Sequence, residues 1–319
     1  MNDVSAKLIE LAPDVFVIPG ATNAGAVFKK ADGITQVYLI DSGTSELDAD
    51  VIFDTLKKYF SEKSRQFKIA AIINTHCHPD HVGADNAIQT ETGCEIWCPA
   101  MERGCLENPE MQPSLMYGGY PPKELHSLFF MIKPAKPSKM LYDGDSFNFN
   151  DGTGLKFIDL PGHSFQEMAV IYELPDGSKI VFSGDAVYPR KRLAKFWISF
   201  IYNPHKFMQS LDKLDSIKNI KYCIPSHGEF ITDDLSEVIE LNKIAVYSVE
   251  KTILNILKTG KASFEQILKG VTDYHDIKMA FAQHVLIGCT LKSYLAVMCD
   301  KGEITCKVEE NILYYYLKK

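Results

Sequence analysis

Histidine and carboxylate side chains form a pattern in this sequence that could bind metal ions. Seven of them take part: His76, His78, Asp80, His81, His163, Asp185 and His227. Imidazole and carboxylate groups suit zinc, iron or manganese, whereas carbonyls and carboxylates alone would suit calcium or magnesium. This set is large enough for two ions, and two ions about 3.5–4 Å apart can generate and clamp a bridging hydroxide at neutral pH.

Each part of the pattern directly follows a predicted β-strand. Four short apolar runs, at residues 69–73, 155–159, 180–182 and 222–224, precede in turn the HxHxDH motif, His163, Asp185 and His227. Helices are predicted at 46–60, 81–90 and 203–217 from the spacing of their apolar residues. Because the ends of neighbouring strands meet at one rim of a sheet, we expect the seven side chains to lie together there. A single HxH pair would more often be structural, but six motif residues with three separate partners predict a metal site.

The order of these residues resembles the hallmark of the metallo-β-lactamase superfamily, in which HxHxDH is followed by a His, an Asp and a final His. The resemblance covers residues from about 14 to 230. It implies an α/β fold, a four-layer αβ/βα sandwich, with two divalent metal ions at one edge: zinc, or alternatively iron or manganese. By position, it implies that the first ion is held by His76, His78 and His163, the second by Asp80, His81 and His227, with Asp185 bridging.

Three positions narrow the choice within that superfamily. β-Lactamases commonly carry Cys or Ser where this chain has Asp185, and flavodiiron oxygen reductases carry Glu where it has His78, so neither activity is favoured. Tyr188 lies at the offset where acyl-homoserine-lactone lactonases carry a tyrosine that contacts the substrate carbonyl. We therefore expect its phenol to donate a hydrogen bond to a developing oxyanion, the alternative being a packing role.

Three further side chains are candidates for binding substrate. Arg190 and Arg192 lie in a basic cluster that could anchor a carboxylate or phosphate, although a solvated turn explains them equally well. His126 lies in the segment 101–140, which holds six of the fifteen prolines together with several Met and aromatic residues. Such a long apolar connection predicts a lid over the site, unless it simply packs over the core.

The overall composition is that of a soluble globular protein. The chain has 319 residues, 46% of them hydrophobic, and a net charge of −7, which excludes disorder and disfavours broad non-specific binding to nucleic acid. No apolar run approaches the ~20 residues that cross a bilayer, and the N-terminus lacks the pattern of a secretory signal. Eight scattered cysteines predict reduced thiols. We therefore expect a cytoplasmic protein with a small-molecule substrate and no membrane partner, as a monomer or homodimer.

Two domains are predicted, a catalytic domain at 1–236 and a smaller, mainly helical domain at 237–319. In the second, predicted helices precede two strands at 304–308 and 312–317, which is typical of a winged helix. Winged helices often bind DNA, but residues 241–319 contain no arginine, the commonest direct reader of guanine. Nucleic acid is therefore not an expected partner.

The function predicted from these features is a dinuclear metal-dependent hydrolase. A bridging hydroxide would attack the carbonyl of an ester, thioester or lactone, and Asp80 or a metal-bound water would deliver a proton to the leaving group. Two alternatives stay open. The same site could hydrolyse phosphodiesters, including RNA, or it could serve a metal-dependent DNA-binding regulator.

Overall fold

Alternating and continuous apolar runs form the strands of this protein, and amphipathic runs form its helices. The computed structural model describes residues 4–31, 33–127, 130–195 and 197–318. The strands in these ranges are β1 (Ile9–Ala12), β2 (Val15–Ile18), β3 (Ala24–Ala31), β4 (Ile34–Ile40), β5 (Phe67–Ile73), β6 (Glu95–Pro99), β7 (Lys139–Leu141), β8 (Ser146–Asn148), β9 (Gly154–Asp159), β10 (Met168–Glu173), β11 (Lys179–Gly184), β12 (Ile220–Pro225), β13 (Ala262–Ser263), β14 (Ile304–Glu309) and β15 (Ile312–Leu317). The α-helices are α1 (Glu46–Glu62), α2 (Pro79–Val82), α3 (Asp85–Thr92), α4 (Arg103–Glu107), α5 (Met111–Tyr117), α6 (Arg190–Lys195), α7 (Pro204–Ser216), α8 (Leu235–Lys258), α9 (Phe264–Tyr274) and α10 (Phe281–Asp300).

Two sheets lie face to face with helices on their outer sides. One contains β1 to β7 in sequence order, and the other has the order β12-β11-β10-β9-β8. Val17, Ile73, Phe157 and Val170 belong to the buried apolar cluster between them. A second cluster joins the first sheet to α1 and α3, and a third joins the second sheet to α7 and the C-terminal helices. The predicted four-layer αβ/βα sandwich is confirmed.

Strand direction brings the predicted site residues to one edge. β11 and β12 are parallel, and β9 runs in the same direction because both β9 and β11 are antiparallel to β10. In the facing sheet, β4 and β5 are also parallel. The loops that follow these strands therefore emerge together, which is where a sheet places its functional groups.

The helix predicted at 81–90 is instead two short helices, α2 and α3, separated at Gly83. A Cβ atom added to Gly83 would lie 2.3 Å from the backbone of Thr44. The backbone N–H of Gly83 donates a hydrogen bond to the carbonyl oxygen of Gly43 at 2.9 Å. This close approach ties α2 to the loop after β4. The break sets the direction of His81, at the C-terminal end of α2, independently of α3.

The C-terminal region is not separated from the sandwich by a gap. Val246 of α8 and Leu291 of α10 share one buried cluster with Val181 of β11 and Phe207 of α7. The predicted domain boundary after residue 236 falls in the first turn of α8. Three helices and a small sheet of order β13-β15-β14 make up this region. Its assignment as a winged helix stays a prediction.

The predicted lid, residues 101–140, contains α4 and α5 and packs onto the C-terminal region. Leu125 and Phe130 form a buried cluster with Val285 of α10, whereas Phe129, part of the prediction, lies outside the described residues. Within the described ranges, none of the helices combines the length and apolar character needed to cross a membrane.

Candidate metal centre

His76, His78 and His163 converge on one point at the rim of the sandwich. The loop after β5 supplies the first two, and the loop after β9 supplies His163. His76 Nε2 lies 2.9 Å from His78 Nδ1, which in turn lies 2.8 Å from His163 Nε2. All three rings are at least nine-tenths buried. Three ring nitrogens thus face one another at a buried position.

The outward nitrogens of this triad have partners that orient the rings. His163 Nδ1 lies 2.9 Å from the carbonyl oxygen of Phe200, to which its N–H donates, and 2.8 Å from the Tyr188 hydroxyl. His76 Nδ1 lies 3.2 Å from Thr75 Oγ1. A partner on the outer nitrogen keeps the proton there and leaves a lone pair on the inner one.

The structure places the Tyr188 hydroxyl beside His163. This hydroxyl lies against the outer side of His163 and 3.3 Å from the Phe200 carbonyl, although the residue also lines the cavity described below. Burial raises the pKa of the phenol well above 10. The Tyr188 hydroxyl thus supports the orientation of the His163 ring, and the predicted hydrogen bond to a substrate oxyanion stays a prediction.

Asp80, His81 and His227 form a second group whose candidate ligand atoms lie within 4.8 Å of one another. His227 Nε2 is 3.2 Å from Asp80 Oδ2 and 3.6 Å from Asp185 Oδ2. Asp185 also lies 3.8 Å from His81 Nε2 and 3.8 Å from His163 Nε2. It therefore stands between the two triads, so the structure brings together all seven predicted residues.

The second triad is oriented from behind as well. His81 Nδ1 lies 3.0 Å from Asp41 Oδ2, and His227 Nδ1 lies 2.7 Å from the carbonyl oxygen of Ala21. Asp41 was not predicted from the sequence. The signal was available, because Asp41 directly follows strand β4 just as Asp185 follows β11.

The electrostatics differ between the two triads. Burial lowers the pKa of His78 to about 4 and that of His163 to about 3, so both rings are neutral near pH 7. Burial also lowers the pKa of His81, but Asp80, Asp41 and Asp185 outweigh it and raise the value to about 9. The first triad thus offers neutral lone pairs, whereas the histidine His81 of the second triad is surrounded by carboxylates.

The donor set fits two divalent cations. Two buried atoms at the centre, His81 Nε2 and Asp185 Oδ1, have no hydrogen-bond partner among the described residues. An unsatisfied buried polar atom costs about 1–3 kcal/mol, so clusters of them indicate a missing partner. Imidazole nitrogens and carboxylate oxygens that face one another are a typical site for zinc or a similar ion.

A cavity of about 380 Å³ opens directly onto these residues. Its polar lining includes His78, Asp80, His163 and Asp185, and most of the remaining wall is apolar. A part of that wall was not anticipated, because it comes from the C-terminal helix α10: Gln283, Leu286, Ile287 and Thr290. Their helical spacing is equally typical of a core-facing stripe, so the sequence carried no distinguishing signal.

Of the three side chains predicted to bind substrate, one lies at the cavity and two do not. Arg192 lines the cavity. Arg190 does not, because its guanidinium pairs with Asp234 at 3.1 Å and Glu237 at 2.8 Å, which turns it toward α8. His126 is also not among the described lining residues, since its ring turns back to Pro121 O at 3.1 Å. The structure therefore does not bring Arg190 and His126 to the cavity, and their contact with a substrate stays a prediction.

Comparison with known proteins gives the same family as the motif. Residues 17–227 match the family described as the Metallo-beta-lactamase superfamily. The chain belongs to this superfamily. A probable metallo-hydrolase of Methanocaldococcus jannaschii is 28% identical over 198 residues, 60% of this chain and 82% of the relative. A hydroxyacylglutathione hydrolase of Rhizobium etli is 31% identical over 124 residues, which are 39% of this chain and only 36% of the relative's length.

Two solved structures of the superfamily share the fold over nearly the whole chain. A β-lactamase domain protein from Burkholderia ambifaria has a TM-score of 0.75 at 17% identity, covering 98% of this chain and 93% of its own. A metallo-β-lactamase family protein from Thermus thermophilus has a TM-score of 0.70 at 18% identity, covering 97% of this chain and 100% of its own. Because the coverage includes the C-terminal region, that region belongs to the shared fold.

Proposed function

We propose that this superfamily member is a dinuclear metal-dependent hydrolase of a small acyl compound, namely an ester, thioester or lactone. One observation carries the proposal. The two triads meet at Asp185, and together they face a largely apolar cavity of about 380 Å³.

In this proposal each triad holds one ion, with Asp185 between them. His76, His78 and His163 form the first position, and Asp80, His81 and His227 form the second. Two divalent ions there, zinc or alternatively iron or manganese, would lower the pKa of a water molecule and polarise a substrate carbonyl. The neutral rings of the first triad suit a cation because no proton has to be displaced from them at pH 7.

The protein's own residues then position the substrate and move a proton. Asp80 is the most exposed of the seven, with 31% of its side chain accessible, and it lines the cavity. Burial alone would raise its pKa, but His81 and His227 beside it lower the value, so the carboxylate is charged. It can receive a proton from the attacking water and pass it to the leaving group.

The cavity wall supports an acyl substrate. Met116, Phe130, Phe200 and Leu286 present apolar surface next to the metal ligands, which suits an aliphatic or aromatic group. The similarity to hydroxyacylglutathione hydrolases over part of the chain supports a thioester in particular. Phosphodiester hydrolysis is less well supported, since Arg192 is the sole Lys or Arg side chain among the described lining residues.

Metal content and turnover, measured on the same preparations, test this proposal. Asp185→Ala and His78→Ala are expected to lose bound metal, measured by inductively coupled plasma mass spectrometry, together with hydrolysis of nitrophenyl esters and acyl thioesters. Arg190→Ala, which changes a side chain outside the cavity, is the matched control and should retain both. Turnover by metal-free Asp185→Ala would refute the metal role, and cleavage of bis-nitrophenyl phosphate without ester cleavage would refute the acyl substrate.

A further inference from the structure

The cavity at the metal centre is bordered by further cavities between α5 and α10. A second cavity of about 120 Å³ and a third of about 270 Å³ follow it. Met116 lines all three, and His78 and Phe200 line the first two. Leu115, Tyr202 and Cys289 line the second and third. We call the first cavity the inner chamber and the other two together the outer groove.

Helix α10 presents different faces to these spaces. The inner chamber is lined by Gln283, Leu286, Ile287 and Thr290, at spacings i, i+3, i+4 and i+7. The outer groove is lined by Cys289, Lys292, Ser293 and Ala296, which repeat that spacing on another side of the helix. At 1.5 Å rise per residue, the helix provides a continuous wall that leads from the metal centre toward solvent.

The chemistry of the wall changes along this path. The part of the groove next to the metal centre is narrow and is bounded by Leu115, Met116 and Phe165. At the far end Lys292 is exposed, with its Nζ 5.3 Å from the ring centroid of Phe264. Lys292 is the only Lys or Arg among the described residues that line the outer groove. A lysine at the end of an apolar passage matches a linear chain that ends in an anion.

We propose that the substrate has a bulky half, which occupies the inner chamber, and a linear half with a terminal anionic group, which extends through the outer groove to Lys292. This inference rests on the proposed function, because it places the scissile carbonyl at the metal centre between the two halves. The inner chamber has a volume of about 380 Å³, whereas the part of the groove beside it has only about 120 Å³, so the bulky half fits the chamber and the linear half fits the groove. Met116, His78 and Phe200 lie at the border of the two spaces, because they line both the inner chamber and the adjoining part of the groove.

Two nitrophenyl esters of equal acyl length test the proposal: nitrophenyl octanoate and the nitrophenyl monoester of suberate. Their aromatic ring represents the bulky half, and only the suberate ester ends in a carboxylate. The wild-type enzyme should favour the suberate ester in kcat/KM. In Lys292→Ala the ratio of the two kcat/KM values should fall about fivefold, as expected for an exposed ion pair. Lys251→Ala removes an exposed lysine that lines none of the three cavities, and it should leave the ratio unchanged.

The path of the chain is tested by a binding measurement that needs no turnover. Cys289 is a half-buried thiol in the outer groove, whereas Cys306 is exposed and lines none of the cavities. In the metal-loaded protein, saturating suberate should slow alkylation of Cys289 by iodoacetamide, followed by mass spectrometry of its peptide, and should not affect Cys306. Ala296→Trp, which narrows the outer groove, should weaken this protection.

The two proposals fail in different ways. If suberate leaves the alkylation of Cys289 unchanged, or if Lys292→Ala leaves the ratio of kcat/KM unchanged, the role of the groove is refuted even when both esters are hydrolysed. If suberate protects Cys289 but no ester or thioester is hydrolysed, the groove binds such chains and the proposed acyl hydrolysis is wrong.

Discussion

Replacing Asp41 by asparagine should weaken metal binding without removing any metal ligand. The Asp41 carboxylate is 1% exposed and accepts four hydrogen bonds. Oδ1 accepts from the Thr75 N–H at 2.8 Å, and Oδ2 accepts from Thr75 Oγ1 at 2.9 Å, Ser226 Oγ at 3.1 Å and His81 Nδ1 at 3.0 Å. An asparagine keeps the shape but replaces one acceptor oxygen with an NH₂ group.

Either orientation of the amide places a donor against a donor. If the NH₂ group faces Thr75, the backbone N–H there loses its partner, at a cost of about 1–3 kcal/mol in folding stability. If it faces His81, the ring must accept at Nδ1 and carry its proton on Nε2, the atom that faces Asp80 and Asp185. A protonated Nε2 cannot bind a cation. We therefore expect the affinity of the second metal position to fall about 10- to 100-fold, the usual effect of changing such a supporting group.

Competition with a chromophoric chelator would measure this loss, with the metal content of each variant as a check. Ser226→Ala is the matched control, because it removes one hydrogen bond from the same oxygen but leaves the tautomer of His81 unchanged. It should bind two ions with nearly native affinity. If Asp41→Asn also binds two ions with the native dissociation constants, then Asp41 does not set the tautomer of His81.

Three further predictions concern the framework around the site. Burial raises the pKa of Asp85 to about 7, so the folded state binds its proton more tightly than the unfolded state, and stability falls as pH rises from about 4 to 7. Urea unfolding of the metal-free protein measures the free energy of unfolding of Asp85→Asn minus that of the wild type. This difference should be about 2–4 kcal/mol more positive at pH 8 than at pH 4, and an equal difference at both pH values would contradict the raised pKa of Asp85. Gly162 has φ +135°, and an added Cβ would lie 2.2 Å from Phe207 N. Gly162→Ala should therefore lower the melting temperature and weaken metal binding at the neighbouring His163. A native-like melting curve would refute this. The Asn242 side chain of α8 accepts a hydrogen bond from the Tyr188 N–H at 2.9 Å and donates one to the Tyr188 carbonyl oxygen at 2.8 Å. Asn242→Ala should therefore lower the free energy of unfolding by about 1–3 kcal/mol. An unchanged free energy of unfolding would show that α8 does not hold the segment around Tyr188.

Much of the fold was predictable because its strands are short apolar runs bounded by turn residues. β15 lies at the predicted bounds, and the other strands that the sequence predicted, β5, β9, β11, β12 and β14, differ from their predicted bounds by one or two residues at an end. The helix predicted at 81–90 was wrong because Gly83 must approach the Thr44 backbone, a contact between distant segments that apolar spacing does not express.

The sequence does not reveal the direction of the candidate substrate-binding side chains, because that direction depends on neighbours in the folded chain. Arg190 and Arg192 lie in the same helix turn, yet only Arg192 lines the cavity. The carboxylates of Asp234 and Glu237 attract Arg190 away from it. His126 is likewise held by a local carbonyl group.

By itself, the sequence determined which side chains could bind metal and that strands would deliver them, because ligand chemistry and strand ends are local properties. The family follows from the same order of residues. Only the tertiary structure decided what surrounds them: Asp41 behind His81, Tyr188 behind His163, and α10 as a wall of the substrate cavity. These contacts join residues that are 25 or more positions apart. Such pairings follow from the packing of whole layers, which no local pattern specifies.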